Sequence, residues 1–319
     1  MNGPPGQGLP AWVSAGLLLL GLGSLAVWAV VADRLRRGEP VVPYEPRRQV
    51  PWGAGHVLAV VLIFLAVAGL MALSASWWFP LDRAGGGSPP EAAAVAEKEP
   101  QRAHPLVIAL EAEPGLAAVL VAVFAGGVAA PLSEEFFFRL LLQGWLERVE
   151  RRWRRRLAVL RRLALGLLPV LVATSAFASL HFHKATTIED PRGYLRGVAL
   201  EAAARLVTVG LAVWLLRSTV RATAKDLGFV PARFWADVRL GLLAFVAVLV
   251  PVYLLQFWLL HVLPKSVSPD PISLFFFTLV LGLVYFRTHR IVPSVVLHMA
   301  LNGTSLAMFL VFQEGRWGG

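Results

Sequence analysis

Of 319 residues, 57% are hydrophobic and only 16% are charged, with a mean hydropathy of +0.64. That balance excludes an ordinary soluble globular domain and places the chain with polytopic membrane proteins. The net charge of +10 would suit a nucleic-acid binder, but the Lys and Arg gather at the ends of apolar runs, a membrane-topology pattern that argues against nucleic acid as a partner. With no cysteine, disulfides, thiolate metal ligands and a cysteine nucleophile are excluded.

Residues 11–32 form an apolar run that ends in Asp33-Arg34-Leu35-Arg36-Arg37, with no basic residue ahead of it. It reads as a spanning helix with its N-terminus outside, not as a cleaved signal peptide, whose charge precedes a shorter core. A second span runs from about Gly53 to Trp78, with Trp52, Trp77 and Trp78 as interface anchors. Residues 80–104, with Gly85-Gly86-Gly87, read as a flexible external linker, and 104–113 as interfacial. The third span, about 115–146, carries Gly126-Gly127, Pro131 and the Glu pair at 134–135, and Pro131 is placed to kink it. Further spans are expected near 163–182, 198–216, 240–263, 272–286 and 291–312. The fold class is therefore all-α, a membrane bundle of about eight transmembrane helices with both termini outside. Twenty of the 30 Lys and Arg fall in the four loops this assigns to the inside, eight of them between Arg148 and Arg162. The asymmetry fits the positive-inside rule for a multi-pass protein of the cell membrane, whose basic loops also meet anionic lipid.

Ser133-Glu134-Glu135-Phe136-Phe137-Phe138-Arg139 puts three ionisable side chains within a span, where each charge costs roughly 3 kcal/mol at the centre. Glu135 and Arg139 are four apart and can pair, which leaves Glu134 without a full counter-charge and suited to a general base. His181 and His298 lie in two other apolar spans, and Asn302 is one turn beyond His298. A histidine can orient water and an Asn amide can donate to an oxyanion. The same residues could equally be a hydrogen-bonded packing network between helices. Glu201 and Arg205 form another four-apart pair, read as structural.

Three motifs, Glu134-Glu135-x-x-x-Arg139, Phe177-x-x-x-His181 and His298-x-x-x-Asn302, each inside an apolar run, together resemble the CAAX protease and bacteriocin-processing (CPBP) family of intramembrane endopeptidases. The flanks Ala130-Pro131-Leu132 and Leu281-Gly282-Leu283-Val284-Tyr285-Phe286-Arg287-Thr288 are similar too, so the resemblance covers about 105–185 and 237–312. It implies hydrolysis of a peptide bond in a peptide or protein substrate within the membrane. In that scheme Glu134 activates water and His181 assists, His298 and Asn302 stabilise the oxyanion, and Glu135 with Arg139 braces the site. The resemblance also divides the chain into a two-helix segment over 1–79, the linker over 80–104 and a catalytic core over 105–319. No cofactor is expected, with zinc left open because His and carboxylate ligands would suffice for one.

The chain departs from the family pattern between His181 and His298, which lie 117 residues apart with two extra spans between them, so 190–263 is unusual. Asp226-Leu227-Gly228-Phe229 followed by Arg239-Leu240-Gly241-Leu242-Leu243 resembles a segment that usually precedes the Glu pair, so the order of elements looks rearranged. Phe257-x-x-x-His261 offers an alternative second motif. His181 is preferred because Ala176, Ala178 and Ser179 permit close helix approach and His261 falls at the end of a span. The readings to be weighed are a glutamate-dependent protease, a zinc-dependent version of it, and a non-catalytic scaffold, immunity protein or transporter.

Overall fold

The computed structural model describes residues 11–46, 49–78, 105–181, 188, 190–264 and 270–317, and among them there is no strand. Apolar segments without water to bond their backbone satisfy their N–H and C=O groups internally, so they fold as helices. These are α1 (Ala11–Arg36), α2 (Ala54–Trp78), α3 (Pro105–Ala112), α4 (Leu116–Arg154), α5 (Leu167–Leu180), α6 (Pro191–Val220), α7 (Phe234–Val262), α8 (Asp270–Thr288) and α9 (Ile291–Trp317). Seven of them, all but α3 and α5, are long and apolar enough to cross a membrane. The protein is thus an all-helical, multi-pass membrane protein. The expected linker, 80–104, lies outside the described residues.

The fourth expected span, 163–182, is α5, and it is short. Gly166 stands before it in the left-handed region (φ +81), where a Cβ would overlap the Phe286 ring. At the other end the helix stops at His181, the residue of interest. Its 14 residues rise roughly 21 Å, less than the hydrocarbon core, and it packs along the buried α8.

Residues of the four basic loops meet at one end of the bundle. The segment after α1 is the tie between them. Arg287 Nε donates to Val42 O, Arg151 Nη2 to the Tyr44 hydroxyl, and both Arg233 and Arg290 bond Glu45. Arg148 Nη1 reaches the carbonyls of Val50, Pro51 and Trp52. Trp52 is no interface anchor. It has no exposed surface, donates from Nε1 to Leu141 O and packs in a cluster with Val50, Leu140, Leu216 and Tyr285. Trp77 and Trp78 have side chains outside the described set.

The segment that looks displaced in sequence docks on α9. Gly228 (φ +72) accepts from the Ile291 N–H, and a Cβ there would lie 2.9 Å from that nitrogen. Gly241 in α7 faces the Pro293 carbonyl, where a Cβ would come within 2.7 Å, so the two helices touch backbone to backbone. Asp237, fully buried one turn earlier, meets Arg290 side-on, with Nε 2.7 Å from Oδ1 but without hydrogen-bond alignment. Removing one partner of a buried pair typically costs about 3–5 kcal/mol. Arg290→Ala is therefore expected to lower the melting temperature in detergent by several degrees, read by a thermal unfolding scan. A melt that overlays the parent's would show that this end of the bundle does not depend on the pair.

Candidate active site

The Glu pair sits where α4 changes its pitch. Pro131 has no N–H to give to the carbonyl one turn back, and the helix is widened into π geometry on both sides of it, over Ala125–Ala129 and Glu135–Gln143. The Ala130 N–H accordingly bonds Ala125 O, and the Gly144 N–H bonds Arg139 O, each five residues back. Such turns are rare and concentrate at functional sites. Pro131, expected to kink the span, is flanked by π turns on both sides, and the helix stays continuous from Leu116 to Arg154.

Glu135 points into the protein and has no exposed surface. Its Oε2 accepts from Arg139 Nε at 3.3 Å, and its Oε1 lies 3.0 Å from His298 Nδ1. An ionised carboxylate can only accept, so Nδ1 carries the proton and Nε2 faces away from Glu135. His298 is 3% exposed and set edge-on to both Phe177 and Phe277. Arg139, fully buried, lies 5.8 Å over the Phe177 ring.

Glu134 faces the other way and keeps 13% of its side chain exposed. Its Oε2 is 3.9 Å from His298 Nε2 and 3.9 Å from His181 Nε2. His181 stacks on Phe177 at 4.3 Å, and its Nδ1 lies 2.9 Å from Phe177 O, a carbonyl that can only accept. That nitrogen also bears its proton, so both rings present Nε2 to the same carboxylate oxygen. Gaps of 3.9 Å are too long for direct hydrogen bonds and short enough for one water to serve. Residues from α4, the end of α5 and α9 thus converge on one point.

Against protein-family models, residues 116–304 match type II CAAX prenyl endopeptidase Rce1-like, more than half of the chain. The chain belongs to this CPBP family. No curated protein and no solved structure matches it. The bounds of the Rce1-like match enclose all three motifs and the 190–263 segment between the second and the third. Membership supports a CAAX-type protease in the membrane.

Within this Rce1-like protein the expected residues are not all brought together. His261 lies on the exposed end of α7, its Nδ1 2.7 Å from Phe257 O and its ring against that of Phe257. Asn302 turns its Nδ2 to Gly126 O at 2.8 Å, in the first π turn, and not to Glu134. Among the described residues no group of three or more His, Cys, Asp or Glu side chains is placed to hold a metal ion.

Two features escaped the sequence. Arg205, read as the partner of Glu201, also bonds Glu134 Oε1 through Nη1 at 2.7 Å, so Glu134 has a counter-charge after all. His289 is 5% exposed, with Nε2 3.1 Å from Glu147 Oε2, and Gln143 joins Glu147 to the Gly282 carbonyl. The buried pairing separates the roles of the two glutamates in a stability measurement. Glu135→Ala leaves Arg139 and His298 without their shared anion and is expected to destabilise by about 3–5 kcal/mol. Glu134→Gln, part-exposed and able to bond Arg205 still, is expected to melt close to the parent. Equal losses would mean that the two carboxylates share one structural role.

Proposed function

We propose that the protein is an intramembrane endopeptidase in which Glu134 removes a proton from the attacking water. The observation that carries this reading is the convergence of Glu134 Oε2 with the Nε2 atoms of His181 and His298, 3.9 Å from each. Three atoms surround the position, and a water has two protons. It can donate to Oε2 and to one ring, while the other ring must act as an N–H donor. The geometry divides these roles. His298, with Glu135 as counter-charge behind it, is the ring suited to carry a second proton and to stabilise an oxyanion. His181 then orients the water.

In the reaction the water oxygen bonds to the scissile carbonyl carbon as its proton passes to Glu134. The carbonyl oxygen becomes the oxyanion, held by His298 and by the amide hydrogen of Asn302 that Gly126 does not use. Collapse breaks the C–N bond, and Glu134 returns the proton to the leaving nitrogen. Glu135 and Arg139 hold His298 in register. The substrate is a peptide or protein presented from the bilayer, and the membrane is the cell membrane, with both termini outside. The family match is the support for a CAAX-type substrate.

The test is hydrolysis of a prenylated CAAX peptide in proteoliposomes. Glu134→Gln is expected to reduce turnover by about 10²–10⁴-fold, the usual worth of a positioned general base. His181→Ala is expected to fall by about 10²-fold, and His261→Ala to keep the parent's rate. Undiminished turnover in Glu134→Gln would sink the mechanism. Loss with His261→Ala and not with His181→Ala would move the second motif to α7. Metal analysis of active protein is expected to give well under one zinc per chain and no chelator sensitivity; stoichiometric zinc would favour the metal-dependent form. Absence of hydrolysis in the parent across prenylated and unprenylated peptides, with Glu134→Gln losing stability, would favour a non-catalytic role.

A further inference from the structure

Arg205 stands in α6, which lies between the second and third motifs and supplies no motif residue. A guanidinium in an apolar spanning helix is costly unless it faces water or a partner anion, and such residues mark function by default. Arg205 has two anions. Nη1 donates to Glu134 Oε1 at 2.7 Å, while Nε and Nη2 close on one oxygen of Glu201, at 3.0 and 2.7 Å. Its side chain is 25% exposed, and that of Glu201, one turn back, is 52% exposed. The planar fork is thus anchored at one edge by its own helix and presents its other edge to the reaction centre.

The consequence for Glu134 is geometric. A free carboxylate on a helix can rotate, and either oxygen can turn to the histidines. With Oε1 fixed to Arg205, Oε2 is the oxygen left to face both Nε2 atoms. The same contact supplies the positive charge that offsets a carboxylate at membrane depth. We infer that Arg205 is a positioning residue for hydrolysis, holding one oxygen of the general base so that the other meets the water, with Glu201 as the anchor of its guanidinium. This rests on Glu134 being the base.

The experiment is steady-state cleavage of a prenylated CAAX peptide by the full chain in proteoliposomes, alongside thermal melts. Because Arg205 aims the base and does not touch the substrate, Arg205→Ala should lose kcat and not KM. A misplacement of about 1 Å can cost 10²-fold, so kcat is expected to drop by about that factor while KM stays within about twofold. Guanidinium ion added to Arg205→Ala is expected to restore part of the rate, and Arg205→Lys to exceed Arg205→Ala by about tenfold. A purely structural Arg205 would lower the melting temperature and leave kcat per folded molecule unchanged. Should Arg205→Ala fail to purify folded, Arg205→Gln carries the same kcat test. If Glu134→Gln is inactive while the Arg205 variants keep the parent's kcat, or lose only in KM, the positioning role is overturned and the base assignment stands. If Glu134→Gln retains full turnover, the base assignment itself has failed.

Discussion

Glu135 divides its two oxygens between two elements, one turn of its own helix through Arg139 and the far side of the bundle through His298. None of the three is appreciably exposed, and Glu135 is the anion both partners bond directly. This pairing fixes the rotation of α9 against α4. Once α9 is set, Asn302 falls opposite the Gly126 carbonyl and ties down the first π turn. That turn and the one after Pro131 decide where Glu134 points. The outward-facing glutamate owes its direction to the inward-facing one beside it in sequence.

A second set of interactions works at the mouth of the site. α6 is apolar along most of its length, and Arg205 reaches from it to Glu134 of α4 while bonded to Glu201, so both anions share one guanidinium. A bilayer offers no water to compensate a stray charge, so each ion inside the bundle must find its complement on another helix or close by on its own. The pattern holds at the basic end too, where buried Arg290 is met by Asp237 and Glu45. Placement of charge, more than apolar burial, makes the helices' mutual orientations specific, because lipid is as apolar as the side chains that face it.

The helices were legible because length and hydropathy alone fix them, and Glu134, Glu135, His181 and His298 were legible because polar residues are conspicuous in apolar runs. What the sequence concealed was which helix lies opposite which. Glu201 and Arg205 are four apart, so their own pairing is visible, but nothing in α6 announces that Arg205 also reaches across to residue 134. Glu134 therefore looked uncompensated. Counted from Arg290, His298 seems close to the membrane surface, but Arg290 and His289 are only 7% and 5% exposed, covered by the segment around Glu45. The basic turn is a buried joint, not a surface marker. Trp52 was misjudged for the same reason, since an indole beside a basic loop serves equally well at an interface or under a folded-back segment.

That folded-back segment bears on the order in which the molecule is made. Glu45 leaves the ribosome before any residue of the matched core, yet its partner Arg290 lies 245 positions later in the chain. Trp52 likewise waits for Leu141, 89 residues on. The first two helices must therefore be inserted and then held nearby, without their final contacts, while the helices of the core are threaded in after them. The hairpin of α8 and α9 closes onto a loop laid down long before it, and Glu45 awaits Arg290 while the helices between them are made.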